Sequence, residues 1–152
     1  MKLNPEDLRK ISGLTLEYYN RDAEEFWEGT RDHDVSQNIE ALLRYIEGEP
    51  PFTILDFGCG PGRDLKVFVE LGHLAVGLEG APRFAVMARV HSGCEVWQQD
   101  FLKLDLPDNH FDGVFANAAV SCTQPGVAAR VAGIARNPQT ARCGVRREPA
   151  RP

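Results

Sequence analysis

Three glycines, Gly58, Gly60 and Gly62, occupy alternate positions in the stretch ILDFGCGPGRD, residues 54–64, directly after an apolar run. A glycine inside an element costs roughly 0.5–1 kcal/mol against alanine, so a cluster marks backbone that turns tightly or lets another group come close. Two acids follow at intervals that suit one ligand. Glu79 lies 21 residues after Gly58, at the end of an expected second strand, where a carboxylate accepts hydrogen bonds from both hydroxyls of a ribose. Asp100 follows an expected third strand, placed to accept from the exocyclic amine of adenine with Phe101 beside the ring. The chemistry implied is recognition of a nucleoside. A glycine triplet by itself also fits a turn that binds nothing, and Asp100 also fits a turn cap, so the argument rests on three sites falling at three successive strand ends.

The elements that must position these residues follow from periodicity. Asn4-Pro5 followed by Glu6 and Asp7 reads as a helix start. A second helix is expected from about Thr15 to Glu28, and a third from Ser36, with Ile39, Leu42, Leu43 and Ile46 on one face, ending at Gly48 and the Pro50-Pro51 pair. From Phe52 the period changes. Strands are expected at Thr53–Phe57, Leu74–Leu78, Glu95–Gln98 and Phe111–Ala116, with helices at Arg63–Leu71 and from Pro82. Alternating strands and helices of this length specify β-α-β units on a parallel sheet, an α/β Rossmann-like fold. The glycines then lie where the first strand enters the first crossover helix, at the carboxyl edge, and Arg63 and Asp64 open that helix.

Composition bounds the rest. At 152 residues, with 43% hydrophobic and 26% charged residues, the chain suits one domain. No apolar run approaches the roughly 18 residues of a membrane span, and the N-terminus has the acids and proline that a signal peptide lacks. A cytoplasmic protein with no membrane association is expected. Cys59, Cys94, Cys122 and Cys143 form no C-x-x-C pair, and no metal site is expected. His33, His73, His91 and His110 are scattered, and no motif pairs any of them with a serine or cysteine nucleophile. A net charge of −5 argues against general affinity for nucleic acid.

The order ILDFGCGPGRD, VGLEGA, QQDF and FDGVFAN closely resembles the class I S-adenosylmethionine-dependent methyltransferases, from about Tyr18 to Asn117. The resemblance implies S-adenosylmethionine as cofactor, with Gly58, Cys59, Gly60, Gly62, Arg63 and Gly80 along it, Glu79 on its ribose, and Asp100 and Phe101 at adenine. Asp56 matches the acid that orients the glycine loop and the cofactor's amino group. The segment YYNRDAEEFW resembles the family's cover helix, from which Tyr18 or Tyr19 reaches the cofactor. Asn117 falls where the methyl acceptor approaches and is a candidate positioning residue; no catalytic base is assigned, because the cofactor carries the activated group. The acidic body favours a small-molecule acceptor, and no obligate protein partner is evident. A nicotinamide dehydrogenase is the less favoured alternative, since its G-x-G-x-x-G pattern has Arg63 at the sixth position here.

A break falls after Asn117. Residues 1–117 carry 21 Asp and Glu against 11 Lys and Arg, together with every aromatic; residues 118–152 hold six arginines, four prolines and one glutamate, and no leucine, lysine or aspartate. Such a segment is expected to be disordered. The division expected is therefore an N-terminal helical cover over 1–51, the first half of the cofactor-binding sheet over 52–117, and an aberrant tail over 118–152, with the C-terminal half of the sheet missing. If each codon from about Ala119 is read one base later with the third bases left free, VSCTQPGVAARVA can become FHVPSQELPRVL, and ARNPQTARCGV can become ATLKPRGVVF. These strings supply the amphipathic helix, turn and strand that the family has at this point. A frameshift near Ala118 to Val120 is expected, and with it the alternative that the written chain is a truncated, non-catalytic product.

Overall fold

The computed structural model describes residues 4–117, 134–136 and 141–144. Five strands, β1 (Thr53–Phe57), β2 (Leu74–Glu79), β3 (Glu95–Gln98), β4 (Gly113–Asn117) and β5 (Ala141–Gly144), form one sheet in the order β3-β2-β1-β4-β5. Every pairing is parallel. The chain runs outward from β1 to β3, then returns to the far side of β1 to lay down β4. The order therefore reverses at β1, and in open α/β sheets the crevice beyond the carboxyl ends of the strands at such a point is where ligands bind.

Helices α4 (Arg63–Glu70) and α5 (Pro82–Ser92) make the crossovers from β1 to β2 and from β2 to β3. Side chains alternate across β1. Ile54 joins Phe68, Phe115 and the face of α3 (Ser36–Tyr45) that carries Ile39 and Leu42. Leu55 and Phe57 face the opposite layer, where Leu78, Leu104, Phe111 and Val114 are buried. Thus α3, expected as part of a cover, is a sheet-packing helix.

The segment expected as a cover also holds α1 (Pro5–Arg21) and α2 (Ala23–Thr30), which pack Leu16 and Ala23 with Ala81 and Phe84. Asn4 caps α1 as expected, its Oδ1 accepting from the Asp7 N–H at 2.8 Å. The single helix expected over 15–28 is instead two segments meeting at Asp22. There the backbone leaves helical geometry (φ −107°, ψ 27°), and the carboxylate pairs with the Arg21 guanidinium. Asp22 ends one helix with its N–H on the Tyr18 carbonyl and starts the next with its carbonyl accepting from Phe26.

The expectation of a tail without regular structure fails at two places. Ile134 and Ala135 are buried in the Leu55 and Phe57 layer, Ala135 bridges Phe111, and the Arg136 guanidinium donates to Asp112 Oδ1 at 3.0 Å. Residues 141–144 pair with β4 as β5. Composition misjudged these because strand addition to an open edge works through backbone groups and needs no large apolar side chain. Five parallel strands in this order make a Rossmann-like α/β sheet.

Candidate functional site

Gly58, Gly60 and Gly62 all have positive φ, at 71°, 55° and 90°. This winds the loop back over the end of β2. The N–H groups of Gly58 and Cys59 donate to the Leu78 carbonyl at 2.8 and 3.1 Å, and that of Gly62 to the Cys59 carbonyl at 3.1 Å. Gly60 donates to Glu79 Oε2 at 2.8 Å. The other Glu79 oxygen accepts from Gly80 at 3.0 Å and Ala81 at 3.1 Å. The carboxylate expected on a ribose thus holds the glycine loop from below, with Oε2 the less occupied oxygen.

Asp56, Asp64 and Glu79 are all buried. Burial holds the Asp56 carboxyl well above the ordinary carboxylate range, and the charges of Asp64 and Glu79 push the same way against the Arg63 guanidinium. Asp56 Oδ2 is buried with no hydrogen-bond partner. Burial also raises Glu79, opposed by its three backbone donors, and raises the Cys59 thiol, helped by Asp56 and Glu79. Cys59 is a packed loop residue whose Sγ sits beside Leu65 under Gly77.

The Arg63 guanidinium is committed elsewhere than expected. Its Nε and Nη2 donate to the two oxygens of Asp64 at 2.9 and 3.3 Å, and Nη1 donates to the carbonyl of Thr30, the last residue of α2, at 2.7 Å. The cover also meets the loop directly. A side chain at Gly60 would touch the Phe26 ring at 4.0 Å, and one at Gly80 would crowd Leu16 at 3.1 Å.

At the third strand end, Asp100 is exposed and its Oδ1 accepts from the Leu102 N–H at 2.9 Å, as in a turn cap. Phe101 stacks on Phe57 with ring centroids 4.9 Å apart and packs against the buried layer. Tyr19 lies in α1 and Asn117 ends β4, but their side chains fall outside the described residues. The structure therefore brings Asp56, Gly58, Cys59, Gly60, Gly62, Arg63, Glu79 and Gly80 together, with Asp100 at the adjoining turn. Sequence reasoning placed Asp64 at the helix start but not in the site, and missed Leu16 and Phe26. The i to i+1 pairing of Arg63 with Asp64 was visible as adjacent opposite charges; the cover contacts had no local signal.

Among the described residues, no group of three His, Cys, Asp or Glu is arranged to hold a metal ion, and no helix is long and apolar enough to cross a membrane.

A family model described as a methyltransferase domain matches residues 54–137. That is more than half of the chain, and the chain belongs to this family. The match runs past Asn117, where the resemblance in the sequence was expected to end. Sterol 24-C-methyltransferase of Yarrowia lipolytica is 28% identical over 131 residues, which cover 72% of this chain and 34% of that protein. The chain thus spans about a third of that relative's length. Among solved structures, an S-adenosylmethionine-dependent methyltransferase from Mesorhizobium loti is 25% identical with a TM-score of 0.52, over 62% of this chain and 45% of its own. Magnesium protoporphyrin IX methyltransferase from Synechocystis, solved with its cofactor bound, superposes with a TM-score of 0.64 at 16% identity, over 82% of this chain and 71% of that one. The latter likeness shows the fold.

Proposed function

We propose that this chain binds S-adenosylmethionine at the glycine loop and transfers its methyl group to a small-molecule acceptor in the cytoplasm. The observation that carries this is the charge at the loop. Three buried acids surround it, one oxygen of Asp56 is unpartnered, and the Arg63 guanidinium is already divided between Asp64 and Thr30. Such a site favours a cation. The ammonium and sulfonium of S-adenosylmethionine supply two positive centres, whereas a nicotinamide dinucleotide would bring an anionic diphosphate. A diphosphate also needs free loop N–H groups, and those of Gly58, Cys59, Gly60 and Gly62 are all donated within the protein.

In this reading Asp56 takes the ammonium, Glu79 shares Oε2 with a ribose hydroxyl, Asp100 receives the adenine amine, and Gly80 and Phe101 line that end. When bound, the cofactor supplies the activated methyl group. The chain's own residues orient it and exclude water, with Leu16 and Phe26 as the apolar roof and Tyr19 and Asn117 as positioning residues. The acidic body and the sterol methyltransferase relative favour a small acceptor.

Calorimetry of the full chain with S-adenosylhomocysteine and with NADH tests the assignment. Micromolar binding of the first and none of the second is expected; the reverse would replace the assignment with a dehydrogenase.

A second reading, that the segment after Asn117 is a frame-slipped product of a gene for a longer enzyme, is favoured by the position of β5. It falls inside the stretch Ala135–Val145 for which a one-base slip, with third bases left free, can encode a turn and a strand. Sequencing the codons for Phe115 to Arg130 decides it. An indel assigns activity to the repaired chain, and a confirmed frame removes this reading.

A further inference from the structure

Two arginines occupy equivalent places in successive crossovers. Arg63 is the first residue of α4 and Arg83 the second of α5, so both stand at the carboxyl edge of the sheet. Each reaches up to the C-terminal end of a different cover helix. Arg63 Nη1 donates to the Thr30 carbonyl at the end of α2 at 2.7 Å. Arg83 Nη1 donates to the Asn20 carbonyl, one residue before α1 ends, at 3.3 Å, and its backbone N–H donates to Asn20 Oδ1 at 3.0 Å. Arg83 Nη2 also pairs with Glu24 on α2.

A cation at a helix C-terminus is favourable, and one at an N-terminus is not. The Arg63 guanidinium is held on one side by Asp64 of its own helix and sends Nη1 to the end of α2, while the Arg83 guanidinium turns to Asn20 and Glu24. Between the two attachments, Leu16 and Phe26 lie against Gly80 and Gly60, the surface assigned above to the cofactor.

We propose that Arg63 and Arg83 are positioning residues that clamp the α1–α2 cover down on the cofactor edge, and that release of this clamp gates cofactor entry and exit. This rests on the cofactor assignment above. The two attachments are unequal. The Arg63 side chain is 21% exposed, against 45% for Arg83 and 66% for its cover partner Glu24, so Arg63 is the main point because its bond to the Thr30 carbonyl is less screened by water.

The test compares wild type with Arg63→Ala, Arg83→Ala and Arg63→Lys, after far-UV circular dichroism has confirmed the fold. Hydrogen exchange over residues 5–30 is measured without ligand, and association and dissociation rates of S-adenosylhomocysteine by stopped flow. Faster exchange in the cover and both rates raised about tenfold in Arg63→Ala, less in Arg83→Ala, with Kd changed less than either rate, is the expected result. Arg63→Lys keeps the charge without the fork and should recover only part of the protection. Should Arg63→Ala prove unfolded, Arg83→Ala and Arg63→Lys carry the same comparison. Damage to the binding surface alone would raise dissociation and Kd together with association unchanged, and that pattern, or unchanged exchange in the cover, overturns the clamp. If wild type binds no S-adenosylhomocysteine, the cofactor assignment fails, and the clamp is judged on the ligand-free exchange alone.

Discussion

At the scale of single residues, Asp56 is where stability and function pull apart. Its carboxyl is buried beside Asp64 and Glu79, with one oxygen unpartnered. Because its folded pKa lies above its unfolded one, the unfolded chain loses this proton first. Stability therefore falls as pH rises from the ordinary aspartate value of 3.8 toward the raised folded one and levels beyond it. Asp56→Asn removes that penalty. The variant should be more stable than wild type at neutral pH by about 1–3 kcal/mol, raising Tm by roughly 2–4 °C per kcal/mol. The gain should shrink as pH falls toward 3.8. Its affinity for S-adenosylmethionine should drop about tenfold or more, since a charged hydrogen bond to the ammonium is lost. Thermal melts across pH, with parallel calorimetry, check both halves; equal melting of the two proteins at pH 8 would contradict the burial argument. Glu79 was picked out in the sequence by its place at a strand end, and Asp56 by the resemblance of its motif. That Glu79 grips its own loop was not legible there, since it depends on the direction in which the Gly60 N–H points.

At the scale of elements, the joint between the glycine loop and α5 is a backbone contact with no room for a side chain. Gly62 caps α4 at φ 90°, and a Cβ there would lie 2.8 Å from the Ala88 Cα. Gly72 has a similar φ of 89° with nothing within 4 Å of the corresponding point. Alanine at either position meets backbone strain of about 1–2 kcal/mol. At Gly62 it also overpacks a backbone that cannot swing aside, adding roughly 1–3 kcal/mol. Urea unfolding should therefore rank Gly62→Ala below Gly72→Ala, and equal midpoints would mean that α5 shifts freely. Helix and strand positions were legible wherever the apolar period was sustained, as in α3, β1 and α4. The division of α1 from α2 was not, because Asp22 breaks the helix through backbone geometry while the apolar spacing runs straight across it.

At the scale of the whole molecule, the parallel sheet and the place of the glycine loop at its carboxyl edge followed from alternating strands and helices, while the strand order came from the structure. The fifth strand was not legible, because its pairing is made by backbone and leaves little trace in composition. β5 covers the outer edge of β4, and Ile134 and Ala135 fill the layer beside Phe111. A chain ending at Asn117 would leave β4 open and that layer thin. It should associate with itself more than the full chain does at equal concentration in light scattering; identical scattering would mean that residues 118–152 shield nothing. The contact of Gly62 with Ala88 also bears on descent. Any lineage that enlarged residue 88 would have to lift the glycine loop from α5 or lose its cofactor, so positions 62 and 88 should be inherited as a pair. Substitutions at the nearby exposed Val86 and Val90 carry no such debt and should drift independently.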